Sequence, residues 1–332
     1  EPVSLEGLPL EVALSVGIAA CPDHGVDAAT LLRHADVAMY AAKKEHTGTR
    51  VYAGDQDDND TTRLGMLAEL RRALDSDQIE LLYQPKLSMQ DRTPIGVEAL
   101  IRWRHPERGH IPPDQFVPMA ERSGIMPRLT ERVVDIALRQ LADWRAAGIF
   151  IPVAVNVSPT DLAGGELSSL VAQRLDEYNV PADMLKLEIT ERIATYRLDE
   201  ARATLSELSR LGVSISLDDF GTGYSSLARL SSIPVDEIKI DRAFVSRLVN
   251  GSRDAGIVGA MIDLAHALGV PSIAEGVETA EEWDCLQALG CDGAQGWYIA
   301  RPMSGEQLSS WVCRAVEAQP STEDGVGALA GV

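Results

Sequence analysis

Leu185-Lys186-Leu187-Glu188-Ile189 and Val213-Ser214-Ile215-Ser216-Leu217-Asp218-Asp219 decide the fold of this chain. Both alternate apolar and polar residues as a strand does, and both reach carboxylates at or near their ends. Two further strand-like runs behave alike: Val153-Ala154-Val155 stops on Asn156, and Val235-Asp236-Glu237-Ile238 stops on Lys239. A buried strand that ends on a charged or amide group is costly unless that group has a partner. Several such ends imply that they converge on one site. The C-terminal strand ends of a (β/α)8 barrel form a face of this kind. The pattern predicts a barrel enzyme with a hard-metal centre.

Strand parity agrees. Leu185, Leu187 and Ile189 share one face and should pack on helices, while Lys186 and Glu188 face the barrel interior. Ile238 and Ile240 point outward in the same way and leave Lys239 inward. Asp218 falls on the inner parity and Asp219 on the outer, so the strand must turn there if both are to reach the site.

Working outward, strands are expected at Ile79–Leu87, Ile95–Trp103, Pro152–Asn156, Leu185–Ile189, Val213–Asp218, Glu237–Ile240, Ser272–Glu275 and Gly293–Gln295. Helices are expected between most of them, at Pro127–Ala147, Glu166–Tyr178, Asp199–Leu211, Asp254–Leu268 and Ala280–Leu289. Gly148, Gly212, Gly269 and Gly290 stand in the usual stop position. Eight strands fit one barrel of roughly 250 residues. The first two lack a helix between them, which predicts an antiparallel opening hairpin. Residues 1–54 read as a small α/β piece, with strand alternation over Leu10–Ala19 and a helix over Thr30–Lys44, capped by Asp27 or Thr30. Its apolar stripe is Leu31, Leu32, Ala35, Ala38, Met39 and Ala42. Residues 55–62 are an acidic linker or helix lead-in, 63–318 the barrel, and 319–332 a disordered tail.

The chain has 332 residues, is 45% hydrophobic, and carries a formal charge of −20 from 50 acidic and 30 basic residues. That balance excludes a general binder of DNA or RNA polymers, which needs a basic footprint. It leaves a small anionic substrate open, because bound cations invert the local charge. Cys21, Cys285, Cys291 and Cys313 form no C-x-x-C pair, which disfavours zinc and a disulfide framework. A reducing cytoplasm is the expected location, with upstream sensor or membrane domains possible in a longer protein.

Glu98, Asn156, Glu188, Asp218 and Asp219 form an all-oxygen donor set, which suits Mg²⁺ or Mn²⁺. Adjacent aspartates let one residue bridge two ions while its neighbour holds the second. Ions about 3.5–4 Å apart would serve an in-line phosphoryl displacement. Any one of these acids alone reads better as a salt-bridged strand end; that reading weakens once five occupy equivalent ends. Lys239 is a counter-ion to the carboxylates and a group that orients water. Glu275 is the best general base, supported by Glu278. Glu98, Leu100 and Arg102 share one strand face, with Arg102 at the rim and suited to phosphate; a surface ion pair fits Arg102 as well and fits Arg104 better. His105 and His110 read as loop structure. Phe220-Gly221-Thr222-Gly223-Tyr224-Ser225-Ser226 reads as a mobile loop that positions the aspartates. Glu191 either bonds that loop or opens the next helix.

These motifs resemble the EAL-domain cyclic di-GMP phosphodiesterases. The resemblance rests on Glu98-Ala99-Leu100-Ile101-Arg102-Trp103, Val155-Asn156-Val157-Ser158, Glu188-Ile189-Thr190-Glu191, Asp218-Asp219-Phe220-Gly221-Thr222-Gly223, Lys239-Ile240-Asp241, Ala274-Glu275-Gly276-Val277-Glu278-Thr279 and Gln295-Gly296, followed by Pro302. It runs from about Arg63 to Val316. It implies a (β/α)8, TIM-like barrel with one antiparallel strand, and two-metal hydrolysis of cyclic di-GMP to linear pGpG. By resemblance, Glu98, Asn156, Glu188 and Asp218 would hold one ion, and Asp218 and Asp219 the other. Lys239 and Glu275 would act on the attacking water, and Glu191 would anchor the loop after Phe220. Gln84, Arg102 and Gln295 would line the substrate groove, with Glu98 and Leu100 beside them. A homodimer is implied too. The competing reading is a cyclic di-GMP receptor without turnover. Residues 1–54 resemble the C-terminal part of a GGDEF (diguanylate cyclase) domain through Leu14–Ala19 and Ala35–Lys43, without the signature loop. The resemblance therefore implies no synthesis of cyclic di-GMP.

Overall fold

The computed structural model describes residues 3–5, 8–10, 14–44, 48–53, 58–191, 198–221, 233–248 and 252–317. The chain divides into two compact units, 1–72 and 73–332. The expected tail at 319–332, most of the loop after Gly221, and residues 55–57 of the expected linker lie outside the described residues. From Asp58 the acidic run continues directly into a helix, Asp58–Leu74.

In the first unit, Val16–Ile18 and Thr49–Val51 pair in parallel beneath the helix Ala28–Lys44. Asp27 caps that helix, its carboxylate accepting from Thr30 N at 2.9 Å. Gly17 is required by close approach: a Cβ there would lie 1.9 Å from the carbonyl oxygen of Ala35. The expected apolar stripe is only partly buried. Ala38 and Ala42 are covered, whereas Leu32 is 72% exposed, because two short strands span too little of the helix surface. Of the strand expected over Leu10–Ala19, Val16–Ile18 form one among the described residues, Leu10 ends a separate short strand, Leu8–Leu10, and residues 11–13 lie outside the described residues.

The second unit is a closed barrel of eight strands: β1 Ile79–Ser88, β2 Pro94–His105, β3 Val153–Val157, β4 Leu185–Thr190, β5 Ser214–Phe220, β6 Glu237–Ile240, β7 Ser272–Ala274 and β8 Gly293–Gln295. β1 runs antiparallel to both neighbours, β2 and β8, and the remaining barrel pairings are parallel. The (β/α)8 expectation with one antiparallel strand therefore holds. Each strand lies within two residues of its expected bounds. β7 stops one residue short of Glu275, which begins the following loop.

The outward residues build the core. Leu185, Leu187 and Ile189 of β4 pack with Val153 and Val155 of β3, Leu138 and Leu141 of the helix Met126–Ala146, and Leu205 and Leu208 of Leu198–Leu211. Fully burying one such side chain contributes about 1.5–3 kcal/mol. Among the described residues of the barrel, four α-helices fall outside those expected: Pro113–Ser123, Pro159–Ala163, Arg242–Val245 and Gly305–Glu317. The first two open on prolines, which read as turns in sequence but occupy the first helical position here. No helix among the described residues is long and apolar enough to cross a membrane.

Candidate active site

Parity places the polar ends inside. Glu188 and Lys239 are almost wholly buried in the barrel interior, with Glu98 and Asp218 close behind. The turn demanded at Asp219 is present. Asp219 adopts φ 55°, and the β5–β6 register shifts between Leu217 and Phe220. That break brings two consecutive aspartates to one side of the sheet. Left-handed backbone at a non-glycine residue is uncommon and strained, and this instance sits at the centre of the polar cluster.

Lys239 is the hub. Its ammonium lies 2.5 Å from Glu275 Oε1, 2.9 Å from Glu188 Oε2, 3.2 Å from Asp218 Oδ1 and 3.6 Å from Glu98 Oε2. These are ion pairs without hydrogen-bond alignment. Asn156 Nδ2 donates to Glu98 Oε1 at 2.8 Å, and Gln295 Nε2 donates to Glu98 Oε2 at 2.7 Å. Gln295 also donates to Gln84 Oε1 at 3.1 Å, and Gln84 donates to the Ala300 carbonyl at 3.0 Å. Glu98, Asn156, Glu188, Asp218, Lys239, Glu275, Gln84 and Gln295 thus form one connected set. Asp218, Asp219 and Glu275 each offer an oxygen within 4.8 Å of the others.

Glu191 Oε2 accepts from Gly221 N at 3.1 Å, so it holds the start of the loop after Phe220. Gly221 has φ 97°, and a Cβ there would meet Met261 Cε at 2.3 Å. Leu100 and Arg102 follow Glu98 on the same face of β2, opposite Leu82 and Glu80 of β1. The Arg102 guanidinium donates to the Ile101 carbonyl at 2.8 Å, outside the Lys239 cluster. Arg104 pairs with Glu80 on the surface at 3.6 Å. His105 accepts from the Glu107 and Arg108 amides at 3.1 Å, a loop-building role, and exposed His110 faces Glu80 at 3.6 Å.

The electrostatics follow from crowding in a low-dielectric interior. Burial pushes the Glu275 carboxyl up to about 8; Lys239 opposes this, while Asp218, Glu98 and Glu188 add to it. Burial, then Asp218 and Asp241, raise Asp219 to about 6. Burial alone would raise Glu98, but Lys239 and Lys86 outweigh it and hold it below the ordinary carboxylate value. Burial likewise opposes the Lys239 charge, and the surrounding acids overcome it and raise its pKa well above the ordinary value. The donors fit a hard divalent cation: they are carboxylate and amide oxygens, and buried Glu188 Oε2 has no aligned hydrogen bond, only its ion pair with Lys239.

The family model for the EAL domain matches residues 67–302, and that for the diguanylate cyclase, GGDEF domain, matches residues 1–49. The chain belongs to the EAL-domain family. Among its relatives is the bifunctional diguanylate cyclase/cyclic di-GMP phosphodiesterase MucR of Pseudomonas aeruginosa, 40% identical over 310 residues, covering 93% of this chain and 45% of that protein. The cyclic di-GMP phosphodiesterase PdeR of Escherichia coli is 38% identical over 301 residues, covering 90% of this chain and 45% of that protein. The chain spans less than half the length of these two relatives. A solved structure of the PaMucR phosphodiesterase in complex with c-di-GMP aligns with a TM-score of 0.70 at 43% identity, covering 74% of this chain and 99% of that one. The EAL domain of Mycobacterium smegmatis DcpA aligns with a TM-score of 0.60 at 34% identity, covering 71% of this chain and 96% of that one.

One layer of this EAL barrel interior was not anticipated. Lys86 of β1 donates to Glu188 Oε1 at 2.7 Å and to Glu237 Oε1 at 3.3 Å. Glu237 also accepts from Lys186, and from Ser216 Oγ at 2.9 Å. A signal existed: Lys86 shares its parity with Gln84, and Glu237 with Lys239. Although burial opposes it, the charges of Lys86 and Lys186 lower the Glu237 carboxyl from 4.5 to about 2. A depressed folded value contributes stability that is present above the unfolded value and lost as pH falls through the folded one. Glu237→Gln is therefore expected to flatten the acid limb of the stability curve between about pH 4.5 and 2, by ~3 kcal/mol at about 1.36 kcal/mol per unit. Urea unfolding midpoints across that range check this; parallel curves for variant and wild type would refute it.

Proposed function

We propose that this chain is a metal-dependent phosphodiesterase that hydrolyses cyclic di-GMP to linear pGpG with two bound divalent cations, Mg²⁺ or Mn²⁺. The supporting observation is the convergence of Glu98, Glu188, Asp218 and Glu275 on Lys239, with Asn156 and Asp219 alongside, on one barrel face of an EAL-family chain.

Glu98, Asn156, Glu188 and Asp218 would hold one ion, and Asp218 and Asp219 the second. Because Asn156 spends its Nδ2 on Glu98, its Oδ1 is left to face a cation. Once bound, the ions would polarise the phosphodiester and make water nucleophilic at neutral pH. Glu275 accepts the proton of that water, and the adjacent Lys239 ammonium holds it and offsets the charge of the carboxylates. Gln84, Gln295 and Leu100 would line the groove, and Arg102 at its rim would meet a phosphate. Glu191 sets the loop after Phe220 through Gly221. The same resemblance pairs the chain with a second copy.

Incubation with cyclic di-GMP and MnCl₂, followed by chromatography, is expected to yield pGpG, with EDTA stopping the reaction. Tight binding without product would instead establish a receptor. Every donor expected for turnover is present, which favours hydrolysis.

A further inference from the structure

Lys86 lies wholly inside the barrel, its side chain 3% exposed, on the one antiparallel strand. Its ammonium meets Glu188 Oε1 at 2.7 Å, while Glu188 Oε2 lies 2.9 Å from Lys239. The Glu188 carboxylate is thus clamped between two lysines from β1 and β6, one oxygen assigned to each. Lys86 is fixed in turn by Glu237, and Glu237 by Lys186 and Ser216. The chain of contacts runs without a break from the partly exposed Lys186 to the hub at Lys239.

Net stability relative to an apolar layer does not account for these charges, although each charge, once present, depends on its partner. Interior layers of such barrels are usually filled by Val, Ile and Leu. A buried ion pair is often no better for stability than apolar side chains of the same volume. What a clamped carboxylate gains is a fixed orientation, and ligating groups held by outer partners depend on them for metal affinity.

We propose that Lys86 is a positioning residue for the catalytic centre: it pins Glu188 Oε1 from below so that Glu188 Oε2 is presented to a divalent cation. The inference rests on the phosphodiesterase reading. Lys86 touches neither substrate nor reacting atoms and acts only through Glu188.

The test compares wild type, Lys86→Met and the double variant Lys86→Met/Glu237→Gln, each stripped with EDTA. The double variant removes both charges of the buried pair together and leaves Lys186 free to turn to solvent. Calorimetric titration with Mn²⁺ reports metal affinity, scanning calorimetry reports folding, and turnover of cyclic di-GMP is measured alongside. Wild type is expected to bind Mn²⁺ and hydrolyse substrate; failure there overturns the phosphodiesterase reading itself. The single variant should lose thermal stability and the double variant should regain it. Both should bind Mn²⁺ about 10- to 100-fold more weakly, the range seen for outer partners of ligands, with kcat falling in step. A folded variant that binds Mn²⁺ within about twofold of wild type would overturn the proposal, because losing an outer partner of a ligand typically weakens binding by about 10-fold or more. Loss of cooperative unfolding in both variants would also overturn it, because Lys86 would then serve the fold and not the site.

Discussion

Glu98→Ala is expected to abolish hydrolysis of cyclic di-GMP while leaving the barrel folded. Glu98 supplies one of the carboxylates proposed to hold an ion, and each of its oxygens also fixes an amide, Asn156 through Oε1 and Gln295 through Oε2. Truncation removes the anionic donor and releases both amides, one proposed as a ligand and the other in the groove. A fall in kcat of about a thousandfold or more, ~4 kcal/mol in activation free energy, is expected. Stability should drop by only about 1–3 kcal/mol, the cost of leaving buried donors unpaired, because Glu188, Asp218 and Glu275 still surround Lys239. Glu98→Gln separates the two effects. It keeps the volume and an acceptor for one amide, yet lacks the charge, so it should fold like wild type and remain inactive. Activity of Glu98→Ala within about tenfold of wild type, roughly 1.4 kcal/mol, would contradict the assignment.

Much of this site is written in strand parity. Lys186, Glu188 and Lys239 alternate with aliphatic residues that pack outward, so their inward direction follows from the two-residue period. Asp219 is the instructive case. Its parity points outward, and two neighbouring acids reach one site only if the strand breaks. The positive φ at Asp219 and the register shift beside it are that break. Periodicity fails where the chain leaves the period. The helix Pro113–Ser123 begins on a Pro-Pro pair and carries Pro118 within it, so composition argues for a turn while the burial of Phe116 and Ala120 makes it a helix. The layer of Lys86 and Glu237 was open to parity but not to chemistry. Nothing in one sequence says which two of many interior charges will lie 3.3 Å apart across a closed sheet. Register and closure decide that, and they are non-local.

Lys239→Met should separate the structural and chemical duties of the hub, which no substitution of a single acid can do. Four carboxylates lie within 3.6 Å of the Lys239 ammonium, and its side chain is wholly buried. Methionine keeps the stem's packing and deletes the charge. In EDTA the remaining acids repel one another without their central counter-ion, and the loss expected for breaking a buried pair is about 3–5 kcal/mol. Mn²⁺ should restore most of that stability, since a divalent cation among the same carboxylates replaces the missing positive charge. Turnover should not return. The proposed work of Lys239 at the attacking water needs an ammonium beside Glu275, and loss of such a group lowers kcat by about a hundredfold or more with little change in KM. Thermal unfolding with and without Mn²⁺, set beside kcat and KM, reads both duties at once. Recovery of turnover together with stability would reduce Lys239 to a counter-ion. A raised KM at unchanged kcat would move its role from the chemical step to substrate binding.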